Sequence, residues 1–196
     1  MLTRKTRKLL YVVPLIALLQ FMPGCKYFSR TEDTQLRDAN KLAGEADALA
    51  VKVDDDYKEA AQKDEDITAA KKDKARIKKA SDEQVALYDQ ASKDAREAAD
   101  KYEQAAKLKI DAKYQEYLSL RSQQMRKHGA HLAALKDLAA ARTESANKPG
   151  KASRDKLAEA KTRSERLRKE VDELKAQADK LQKEIGDKFK TSNENK

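Results

Sequence analysis

Few side chains in this sequence could make or break bonds, and their spacing narrows what each could do. Cys25 is the only thiol in 196 residues. It can form no disulfide within one chain, and a lone cysteine calls for an explanation such as a point of attachment, the alternative being a chance cysteine with no role. His128 and His131 are the only imidazoles, three residues apart and so on one face of a helix. Two such nitrogens could begin a zinc site, but a closed site needs four ligands. No free cysteine joins them, and the Glu-x-x-His pairing of di-iron bundles is missing. The acidic runs Asp54-Asp55-Asp56 and Asp64-Glu65-Asp66 lack the glycine and alternating ligands of a calcium loop; they read as solvated helix faces. The basic run Lys71 to Lys79 could meet a polyanion, but no aromatic residues interleave it for base stacking. No histidine stands beside a nucleophile, and no glycine-rich loop could cradle a phosphate. The expectation is therefore a non-enzymatic chain with no catalytic residue, no cofactor and no metal.

Cys25 does have a context. Arg4, Lys5, Arg7 and Lys8 precede an apolar run from Leu9 to Phe21, broken only by Pro14 and Gln20. A basic start, a short apolar core and a small residue before the cut mark an export signal. The run is too short to span a bilayer, which takes about 20 residues. The closing Met22-Pro23-Gly24-Cys25 resembles the lipobox of bacterial lipoproteins, though that family prefers leucine and a small or β-branched residue where this chain has Met22 and Pro23. The resemblance implies that residues 1–24 are removed, that the Cys25 thiol carries a diacylglycerol, and that the new amino terminus is acylated. It places the protein on a membrane of the bacterial cell envelope. Lys26, rather than an aspartate, follows the cysteine, which favours the outer membrane facing the periplasm in a two-membrane cell.

Charged residues make up 39% of the chain and aromatics 5%, with no tryptophan. The usual charged share is roughly 25%. Such a composition suits long helices sharing a narrow apolar seam better than a thick globular core. The net charge of +9 includes four basic residues of the leader, and the remaining charges alternate in sign as on solvated faces. Nucleic acid is therefore not an expected partner.

Hydrophobic spacing places the elements. After a tether over 25–31, capped by Thr31 or Asp33, a first helix is expected over about 32–78. Its seam holds Leu36, Ala39, Ala43, Ala46, Ala50, Val53, Tyr57 and Ala60 at steps of three and four. A turn is expected between about 70 and 81, with Ser81 and Gln84 as a capping box; an unbroken helix is the alternative. A second helix, over about 82–145, would span roughly 95 Å at 1.5 Å per residue. Asn147-Lys148-Pro149-Gly150 is the clearest turn. A third helix, capped by Ser153, follows over about 153–188, and 191–196 reads as a disordered tail. The antiparallel return sets Leu132 opposite Leu167, Met125 opposite Leu174, Leu118 opposite Leu181 and Tyr114 opposite Ile185. Arg121 and His128 are polar intrusions in that seam, opposite Ala178 and Val171, and long enough to snorkel outward.

The fold class expected is all-α: an elongated antiparallel helical hairpin, or three long helices with coiled-coil seams, over 32–190. The function expected is that of a lipid-anchored scaffold or adaptor contacting another envelope component, a protein or peptidoglycan. The pattern also permits self-association. A holdase resembling the periplasmic helical-tentacle chaperones in shape and charge is the alternative.

Overall fold

A computed structural model describes residues 30–70 and 73–194, with side chains described over 34–70 and 73–186. Cys25, its leader and its tether lie outside the described residues. The described residues form four helices: α1 (Arg30–Ala69), α2 (Lys74–Ala106), α3 (Ala112–Asn147) and α4 (Lys151–Glu194). Each packs antiparallel on its neighbour in sequence. The all-α class holds, but the described residues form four helices where three were expected.

The long second helix is broken. No glycine or proline marks the break, which explains why periodicity runs straight through it. Lys107 and Leu108 donate to the carbonyls of Gln104 and Ala105 at 3.2 Å, tightening the end of α2. Asp111 then caps α3, its carboxylate accepting from the amides of Lys113 (2.9 Å) and Tyr114 (3.1 Å). Gln115 donates back to the Leu108 carbonyl at 2.6 Å. This cap satisfies the unpaired amides at the start of a helix. The expected 95 Å rod becomes a shorter, thicker bundle, about 60 Å along the 40-residue α1 at 1.5 Å per residue.

The first turn falls early in the expected window. Asp73 caps α2 through the amides of Ala75 and Arg76, both at 3.1 Å. Ser81 and Gln84 therefore do not form a capping box. Both lie inside α2 and are buried, with Gln84 donating to the Ala60 carbonyl of α1 at 3.0 Å. α1 itself begins at Arg30, ahead of the expected caps Thr31 and Asp33, whose side chains lie outside the described residues. The third turn is where Pro149 and Gly150 put it, but α4 starts two residues before Ser153. The Ser153 hydroxyl instead accepts from the Gly150 amide at 3.1 Å, inside the turn. α4 continues to Glu194, through most of the expected tail; Thr191 to Glu194 holds no proline or glycine to stop it.

The core runs along α1, α2 and α3 and is built largely of alanine: Ala39, Ala46, Ala60, Ala91, Ala95, Ala98 and Ala105 are each fully buried, with Val53, Tyr102, Leu118 and Leu132 as the larger fillers. Small seam residues let helix axes approach closely. Gly129 shows how closely: a β-carbon there would lie 3.2 Å from the Ser92 backbone carbonyl of α2. Two serines use the same proximity, Ser92 donating to the Gly129 carbonyl (2.8 Å) and Ser122 to that of Ala99 (2.9 Å). α4 adds Leu167, Ala178, Leu181 and Ile185 to α3. Ion pairs Lys113–Glu184, Lys127–Glu170, Asp137–Arg163 and Glu144–Lys156 flank this contact at 2.6–3.3 Å and agree with the register read from the sequence.

Candidate functional site: a polar row between the first and third helices

Because α1 and α3 run parallel across α2, one edge of each meets in a narrow row. Its members recur every seven residues on both helices. Asn40 faces Tyr114, Asp47 faces Arg121, and Asp54 faces His128. Seven residues is two turns of a supercoiled helix, so a polar residue at one such position repeats on the same edge.

The layers differ in strength. Tyr114 donates to Asn40 Oδ1 at 3.0 Å, and its ring stacks on Tyr117 with centroids 6.2 Å apart. The Asp47 layer is the most enclosed. Tyr102 of α2 donates to Asp47 Oδ1. Arg121 donates through Nη2 to the Tyr102 hydroxyl (3.0 Å) and through Nη1 to Gln124 (2.8 Å). Its charge lies 3.6 Å from the same Asp47 oxygen. The Arg121 side chain is 17% exposed, so it turns inward to α1 and α2 rather than snorkelling as expected. Its Nε is buried with no hydrogen-bond partner. Burial holds the Tyr102 hydroxyl far above its ordinary pKa, opposed by Arg121 and reinforced by Asp47.

In the third layer Tyr57 meets His128 edge-on (6.4 Å between centroids, 67°). His128 stacks on His131 at 6.3 Å and 23°. Burial lowers the pKa of both histidines, and for His131 the neighbouring His128 and Arg168 lower it further, to about 4. The row ends at Asp64, which accepts from Gln84 of α2 and Arg142 of α3, both at 3.0 Å. A separate cluster joins α1 to α2. Lys52 lies 2.7 Å from Asp94 Oδ2, while Gln90 donates to Asp94 Oδ1 at 2.9 Å. Asp56 Oδ2 beside them is buried and unpartnered, and burial raises the Asp56 pKa against the pull of Lys52.

Arg121 and His128 were visible in the sequence as polar intrusions. Asn40, Asp47, Tyr102 and Gln84 were not. The signal that could have found the first two is the matching seven-residue spacing of Asn40, Asp47 and Asp54. Donors and acceptors in the row are largely matched across helices, an arrangement that fixes register and orientation. Among the described residues, no group of three or more His, Cys, Asp or Glu side chains could hold a metal ion. Compared with protein-family models, with curated proteins and with solved structures, the chain matches none of them.

Proposed function

We propose that this chain is a bacterial envelope lipoprotein, a non-enzymatic helical scaffold or adaptor anchored through acylated Cys25 and contacting another envelope component. The observation that carries the reading is the leader, Met1 to Cys25, joined within a few residues to a helical body. One feature of that body supports it: buried polar side chains such as Gln84, Ser92, Tyr102 and Ser122 are paired across helices, which suits a part whose shape is its use. Among the described residues no helix is long and apolar enough to cross a membrane.

The holdase alternative draws less support. A client-binding surface needs exposed apolar area, and Val51 is the one large hydrophobic side chain left exposed among the described residues.

Membrane fractionation with mass spectrometry of the mature protein tests the reading. The expected result is a membrane-bound chain whose first residue is an acylated Cys25, released to the soluble fraction by Cys25→Ser. A mature chain that begins elsewhere, carries no lipid and is soluble without the substitution would overturn it.

A further inference from the structure

α4 is held differently from the other helices. The core residues come from α1, α2 and α3. α4 packs along α3, seating Leu167, Ala178, Leu181 and Ile185 there. The four ion pairs beside this contact join half-exposed side chains, a class that contributes little. In the middle of the contact, next to the Leu132–Leu167 layer, lies His131, only 6% exposed.

Burial favours the neutral form of both rings, against the pull of Asp54 and Asp172. His131 stacks on His128, so a proton on either ring places charge against the other. Arg168 and Asp172 of α4 bear on His131. Asp54 of α1 and Asp172 and Lys175 of α4 bear on His128, with Tyr57 against its ring. Among the described residues, the charged groups that bear most on the two rings come from α1, α3 and α4. Asp172 is thus the one carboxylate shared by both histidines, and it is exposed. Arg168 already sets a positive charge beside His131.

We propose that the stacked His128–His131 pair is an acid-sensitive latch: protonation of His131 frees α4 from α3 while the α1–α3 core stays packed. The direction follows from linkage. His131 binds its proton less readily when docked, at a pKa of about 4, than the ordinary 6.5. Docking is therefore complete above about pH 6.5 and weakens as pH falls toward about 4. Lys127 holds Glu170 below its ordinary 4.5, so that ion pair opens only in stronger acid.

The test uses the full chain with Cys25→Ser and a fluorescent donor–acceptor pair on cysteines at the exposed positions Gln123 and Gln177, across α3 and α4. A second labelled chain carries the pair at Ala48 and Glu97, across α1 and α2. Between about pH 7.5 and 4, spanning the ordinary and the docked His131 values, transfer across α3 and α4 should fall at least about twofold. Transfer across α1 and α2 should hold. His131→Leu, or His131→Gln should the leucine variant fold poorly, should keep the α3–α4 signal high at the lower pH. The proposal is overturned if the α3–α4 signal is constant over this range, if it falls equally in the His131 variant, or if both label pairs fall together.

Discussion

Ser92 meets Gly129 twice: its hydroxyl donates 2.8 Å to the Gly129 carbonyl, and its own carbonyl would stand 3.2 Å from any β-carbon on residue 129. Gly129→Ala would gain up to about 1 kcal/mol of helix propensity but push the Ser92 carbonyl by a few tenths of an ångström, so little net change in melting temperature is expected. Gly129→Leu would also strike Ala95 and Arg96 and should cost about 1–3 kcal/mol. Thermal denaturation of the two variants separates the terms. A leucine variant as stable as the parent would mean that α2 and α3 do not approach this closely.

Asp47→Ala should leave the enclosed Arg121 charge without its carboxylate and cost about 1–3 kcal/mol. Glu144→Ala removes a carboxylate from an exposed pair with Lys156 and should cost under about 1 kcal/mol. Urea titration of both, with tyrosine fluorescence as the probe, decides. Equal costs would contradict the enclosure of the Asp47 layer.

Cysteines placed at Leu132 and Leu167 in a Cys25→Ser background should bridge under mild oxidation, and those at Leu132 and Leu174 should not. The ion pairs Lys127–Glu170 and Asp137–Arg163 bracket the first pair, whereas Leu174 sits two turns away, about 10 Å along the axis. Equal bridging on a non-reducing gel would mean that α4 has no fixed register.

Alkali should unfold the chain through its tyrosines. Burial pushes the Tyr88 hydroxyl up to about 12 and raises Tyr102 and Tyr114 further. The unfolded chain releases these protons at its ordinary pKa near 10, the folded chain only above that. Stability is thus fully present below about pH 10 and declines as pH rises toward 12. Circular dichroism against pH should show the loss, and Tyr88→Phe should reduce its steepness. A flat profile to about pH 12 would place these hydroxyls in water.

Where a residue does something no neighbour could do, the fold was legible. Pro149 cannot donate in a helix interior and Gly150 accepts tight geometry, so the last turn and the register beyond it followed from the chain. The other two turns depend on Asp73 and Asp111. Aspartates are scattered throughout this sequence, and nothing local distinguishes a capping one from a solvated one. Ser81 and Gln84 have the types of a capping box, but both are buried inside α2, Gln84 against α1. The polar row was half legible for a related reason. Arg121 and His128 stand out against an apolar seam, whereas Asp47 and Asn40 sit at its margin on a charged helix. Only the parallel placement of α1 and α3, which depends on the unforeseen break at Lys107–Asp111, brings the two sets together. Cys25, the residue on which the functional reading depends, lies outside the described residues.

The serial packing of the helices bears on how the chain folds. Each helix docks on the one just made, so the longest loop closed at each step is a single turn, and the entropic cost of closure stays small. The core cluster extends from Ala39 to Leu132. A growing chain that has reached Asn147 already carries that whole cluster, before any of α4 exists.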